Sequence, residues 1–121
     1  MNEAPVFSPP DSSGSLRGDA RPVDLVFLAR QTGGDRALEE EVLRLFAKQA
    51  AVLGRELRSQ QDAEKRRRDA HTLKGAARAV GAFGVASQAL LIENEPDNPA
   101  PVTELLREVE TVRDYIASLL R

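Results

Sequence analysis

From Arg21 onward the apolar positions recur at helical spacing, and each run stops at a break rich in glycine or proline. Val23, Val26, Phe27 and Arg30 predict a short first helix, closed by Thr32-Gly33-Gly34. Asp35 is suited to cap a second helix, with Glu39, Glu40 and Glu41 near its positive end and Leu38, Val42, Leu45, Gln49, Val52 and Leu57 as its inward stripe. That helix spans roughly 35 to 58, with ends good to a few residues. A third helix is expected from about Gln61 to Val80, stopped by Gly81, since glycine tolerates the left-handed turn that closes a helix. After Gly81-Ala82-Phe83-Gly84, Val85, Ala89 and Ile92 define a shorter fourth helix, ended by Pro96, Asn98 and Pro99. The clearest amphipathic rhythm is the last: Val102, Leu105, Leu106, Val109, Val112, Ile116, Leu119 and Leu120.

Four helices joined by short connections, with a short leader in front, favour antiparallel neighbours. The expected fold is therefore all-α: an up-and-down antiparallel four-helix bundle over residues 21–121 with a short N-terminal leader helix. Residues 1–20 contain Pro5, Pro9, Pro10 and the run Asp11-Ser12-Ser13-Gly14-Ser15, with few large apolar side chains. Too little is buried there to offset ordering entropy, so a flexible tail is expected.

Composition narrows the function classes. A chain of 121 residues suits one domain, and 4% aromatic content favours helices packed through aliphatic stripes. The absence of cysteine excludes disulfides, thiol catalysis and cysteine-ligated zinc, and fits a reducing, cytoplasmic setting. With 17 basic and 19 acidic residues, the formal charge of −2 gives no global field for nucleic acid or an anionic membrane. No apolar run reaches the roughly 18 residues of a membrane span, and no secretory leader is visible.

One histidine remains, and its helical neighbours make it conspicuous. On a wheel with His71 at zero, Lys74 falls at about −60°, Gly75 at about +40°, Arg78 at about −20°, Arg67 at about −40° and Arg68 at about +60°. Leu73, Ala76, Ala77 and Val80 take the opposite side. The imidazole is thus expected in water among cations, while the apolar stripe faces the bundle. A phosphoryl group on an imidazole nitrogen is anionic, and Lys74 and Arg78 are spaced to pair with it. Glycine inside a helix costs about 1 kcal/mol against alanine; Gly75 is explained by close approach of a partner, or by tight packing.

The string Ala70-His71-Thr72-Leu73-Lys74-Gly75-Ala76-Ala77, followed by Val80-Gly81-Ala82, resembles the signature of histidine-containing phosphotransfer domains. The resemblance covers about residues 22 to 120. It implies a phosphorelay carrier: His71 accepts a phosphoryl group from a receiver-domain aspartate and passes it to another receiver, Lys74 stabilises the phosphorylated state, and Gly75 gives access. Arg67, Arg68, Arg78 and Ala82 belong to the expected docking face. Implied partners are response-regulator receivers and a hybrid or separate sensor histidine kinase. No cofactor is expected in this chain, the receiver supplying Mg²⁺, and ATP-driven autophosphorylation is not expected.

Two positions stand apart from the pattern. Asp69 falls at about 160°, toward the buried side; Glu93, on the fourth helix, matches a position where some members of the resembled family carry a polar side chain near the histidine, but reads first as a solvated carboxylate. Three rival readings stand beside this one: a docking bundle without chemistry, a nucleic-acid module using Lys65 to Arg68 as a clamp, and a hydrolase or kinase. The second lacks a helix-turn-helix pattern and the third lacks a nucleophile–base set or phosphate loop. Charged outer faces favour a monomer.

Overall fold

The computed structural model describes residues 21–121, so the expected tail at 1–20 lies outside the described residues. It comprises α1 (Leu25–Gln31), α2 (Arg36–Ser59), α3 (Ala63–Val80), α4 (Phe83–Asn94) and α5 (Ala100–Leu119). α3 packs on α2 and α4, α5 packs on the same two from the other side, and α1 rests on α3. α2 and α4 are therefore diagonal corners of a four-helix bundle.

The helix starts follow from local chemistry. Asp24 accepts a hydrogen bond from the Phe27 backbone N–H at 3.0 Å, and Asp35 accepts one from Leu38 at 3.0 Å. Asp62 accepts from Glu64 and Lys65 at 2.9 and 3.2 Å. Each satisfies donors that the first turn leaves unpaired, worth about 1 kcal/mol apiece. α3 ends as expected at Gly81, whose φ of 88° is left-handed, while Ala82 N–H donates to Ala77 O at 2.8 Å. This closure reverses the chain within two residues and lays α4 back along α3.

Gly81 also anchors the leader, because its carbonyl accepts from Asp24 N–H at 2.9 Å. Phe27 and Phe83 meet edge to face with centroids 5.2 Å apart. At the other end of α3, Arg66 donates to Gln60 O at 2.6 Å and to Pro96 O, tying the α2–α3 turn to the α4–α5 connection. Arg66 is thus a structural clamp, although the sequence groups it with the basic run Arg66-Arg67-Arg68.

Leu28, Leu57, Leu73, Ile92, Leu105 and Val112 are essentially sealed from solvent, and no polar or charged residue is buried among the described residues. Each such leucine or isoleucine contributes about 2 kcal/mol of burial free energy. α5 buries Val102, Leu105, Val109, Val112 and Ile116 as its rhythm predicts.

On α2 the sequence reading is corrected. Leu38, Leu45 and Val52 are 45, 56 and 49% exposed, and the inward stripe is Leu43, Phe46, Ala50, Gly54 and Leu57. Two apolar stripes compete on this helix, and the one with Phe46 plus two small residues wins. Gly54 explains why: a Cβ there would lie 3.2 Å from the Leu106 side chain, so its absence lets α5 come close. In α1, similarly, Leu28 is buried while Val26 is 63% exposed.

Candidate functional site

α3 carries His71 on its outer face because Ala70, Leu73, Ala77 and Val80 occupy the inner one. The His71 side chain is 66% exposed. Lys74 follows one helical turn later, and α4 brings Glu93 across from the neighbouring corner. Glu93 Oε2 lies 2.7 Å from His71 Nδ1, and Glu93 Oε1 lies 2.6 Å from Lys74 Nζ. One carboxylate thus spans both residues, with Lys74 and Glu93 largely withdrawn from solvent.

The reading of Glu93 as solvated is therefore overturned. Its pKa is held below the usual 4.5, first by the hydrogen bond from Lys74 and then by that from His71, so it is ionised at neutral pH. An ionised carboxylate only accepts, hence Nδ1 donates. In the neutral ring this leaves the lone pair on Nε2, on the solvent side. The sequence did hold a signal: Glu93 is the only charged residue of α4. It reads as solvated from the sequence because pairing between helices depends on their relative rotation, which periodicity along one helix does not reveal.

Gly75 is exposed, and a Cβ built there meets no heavy atom within 4 Å. Tight packing accordingly does not account for it, and the surface beside the imidazole is open. Arg67 is engaged by Glu64 one turn earlier, while Arg68 and Arg78 are exposed without an ion-pair partner among the described residues. The structure thus gathers His71, Lys74 and Gly75 around Glu93, with Arg78 further along the same face. Ala82 is corrected: it is fully buried at the start of α4, where the tight reversal after Gly81 turns its methyl into the core, so it is not part of a docking face.

Asp69 is half-buried away from the imidazole. Desolvation is the main cause that raises its pKa, followed by the nearby Glu56 carboxylate, with Arg68 opposing. It belongs to the α2–α3 contact and not to the His71 site. No group of three or more potential metal ligands occurs among the described residues, and no described helix is long and apolar enough to cross a membrane.

The family model described as Hpt domain matches residues 36–115, a span that takes in α2, α3, α4 and most of α5. No curated protein and no solved structure matches the chain.

Proposed function

Because the chain belongs to the Hpt domain family, and so to the proteins of two-component phosphorelays, we propose that His71 Nε2 takes a phosphoryl group from a receiver aspartate and returns it to another receiver. The observation that carries this reading is the ring's asymmetry: Nδ1 is tied to Glu93 while Nε2 faces solvent beside the bare backbone of Gly75.

The Nε2 lone pair attacks phosphorus, the P–O bond to the receiver's aspartyl oxygen breaks, and the aspartate leaves as a carboxylate. No proton has to depart, because the proton stays on Nδ1. The ring becomes a phosphorylated imidazolium whose positive charge faces Glu93. Glu93 thus fixes the tautomer before transfer and offsets the ring charge after it. Lys74 holds Glu93 in place and sits one turn from the phosphoryl group, adding a favourable field. The reverse step is the same path run backwards, and Glu93 keeps the ring oriented for either direction.

Gly75 admits the partner, and Arg68 and Arg78 meet the acidic surroundings expected of a receiver's phosphorylation site. Arg67, already engaged by Glu64, contributes less. The receiver brings the Mg²⁺ that neutralises the aspartyl phosphate. The partners are response-regulator receivers and a hybrid or separate sensor histidine kinase, and the chain acts in the cytoplasm as a carrier and not as an ATP-dependent kinase.

The test is transfer of label from a phosphorylated receiver to the wild-type chain and to His71→Gln. Acid-labile, base-stable phosphate on the wild type, lost in His71→Gln with its fold and receiver binding retained, is the expected result. Label on His71→Gln, or incorporation directly from ATP by the isolated wild type, would refute the assignment.

A further inference from the structure

α2 carries two apolar stripes, and the bundle uses one. Leu38, Leu45 and Val52 recur every seventh residue on the side away from α3 and α5, about half exposed, and no described element covers them. Half-buried Val42 and exposed Gln49 fill the intervening positions, giving the alternating three-and-four spacing of a seam between two helices. Glu41, Lys48 and Arg55 line one edge of that seam, again seven residues apart, and all are exposed. Among the described residues none of these three has an ion-pair partner, whereas Arg36, Glu40 and Arg44 on a neighbouring face pair with one another.

We propose that this outer face of α2 is the interface of a weak antiparallel homodimer, α2 against α2 of a second copy. The order of charges selects this occupant. A two-fold axis across the seam near Lys48 sets Glu41 of each copy level with Arg55 of the other, giving two opposite-charge pairs. A parallel arrangement would set Glu41 level with Glu41 and Arg55 level with Arg55. Lys48, midway, meets its own copy near the axis and limits the affinity.

The size of the face sets the strength. One helix seam buries less than the roughly 800 Å² per partner of a standard interface, so dissociation on the order of 100 µM is expected. The dimer leaves the relay site clear, because α2 and α4 are diagonal corners and His71 is tied to α4 through Glu93. Both copies in the dimer remain open to receivers.

Sedimentation equilibrium of the full chain from micromolar to millimolar concentration, at low salt, tests this. A monomer–dimer equilibrium is expected. Leu45→Glu weakens it about a hundredfold by placing a charge at the centre of the seam. Glu41→Arg and Arg55→Glu each weaken it about tenfold, and the two together restore it, because the exchange recreates opposite charges. All three positions are exposed, so unchanged melting and phosphotransfer show that the variants fold. A chain that stays monomeric at millimolar concentration overturns the proposal. So does a dimer indifferent to Leu45→Glu, or one that the double charge exchange fails to rescue.

Discussion

Removing the carboxylate of Glu93 separates the orienting role proposed for it from simple surface charge. In Glu93→Gln the side-chain oxygen still reaches His71 Nδ1, at 2.7 Å in the native geometry, but the acceptor is neutral. Hydrogen bonds to ionised groups are worth roughly 1 kcal/mol more than neutral ones, and the exposed ring puts this case at the lower end. About 1 kcal/mol of lost orientation and charge compensation corresponds to about fivefold slower phosphotransfer. Glu93→Ala removes the acceptor altogether and leaves Lys74 without its partner, so a fall of about tenfold or more is expected. Rates of transfer from a phosphorylated receiver give the first readout. Nitrogen chemical shifts of the imidazole give the second: the wild-type ring carries its proton mainly on Nδ1, and the alanine variant shifts population toward the Nε2–H form. Wild-type transfer in Glu93→Ala, with an unchanged tautomer ratio, would refute the orienting role.

The same bridge has a pH signature. Glu93's depressed pKa means that its contribution is complete above 4.5 and is lost as pH falls through the lower folded value; in Lys74→Met the Glu93 carboxyl carbon should titrate at higher pH, since Lys74 is the larger cause. Asp69 has the opposite sign, its raised folded pKa costing stability at neutral pH, so Asp69→Asn should raise the melting temperature by about 1–2 °C, an advantage that vanishes in acid. Gly81→Ala strains a residue at φ 88° and sets its Cβ 2.9 Å from Asp24 O, which predicts a loss of about 2 kcal/mol, or roughly 10 °C in thermal melting. Gly75→Ala meets open space inside α3 and should instead stabilise by about 0.5–1 kcal/mol, whereas Gly75→Gln should keep the fold and slow transfer by blocking the approach beside His71.

Much of the bundle was legible because its signals are local. Asp35 caps by reaching three residues ahead, and Gly81 ends α3 by a backbone conformation of its own. α5 was read correctly from Val102 to Ile116, where one apolar stripe dominates, whereas Leu119 at its end is 41% exposed. α2 was misread for the converse reason: Leu38, Leu45 and Val52 form a second stripe as regular as the first. Which stripe turns inward was decided by the close approach of Leu106 to Gly54, a contact between residues 52 positions apart that no single-helix pattern contains. Ala82 failed as a docking residue likewise, since its burial follows from how α4 folds back.

The site divides along the same line. His71, Lys74, Gly75 and Arg78 share one helix, so their common face follows from 100° per residue and was available from the sequence. Glu93 enters from another helix, and it changes what Lys74 does. From spacing alone Lys74 reads as a free cation awaiting a phosphoryl group; in the structure it is the anchor of a carboxylate that holds the ring. A lone lysine would only add positive potential near His71, leaving the ring free to rotate and to exchange tautomers. A lysine that fixes a carboxylate on Nδ1 also defines which nitrogen reacts, and places negative charge beside the imidazolium that transfer creates. Lys74→Met should therefore affect ring orientation as well as phosphohistidine lifetime. A variant that shortens the lifetime while leaving the tautomer ratio and the Glu93 titration at wild-type values would show that Lys74 acts on the phosphoryl group alone.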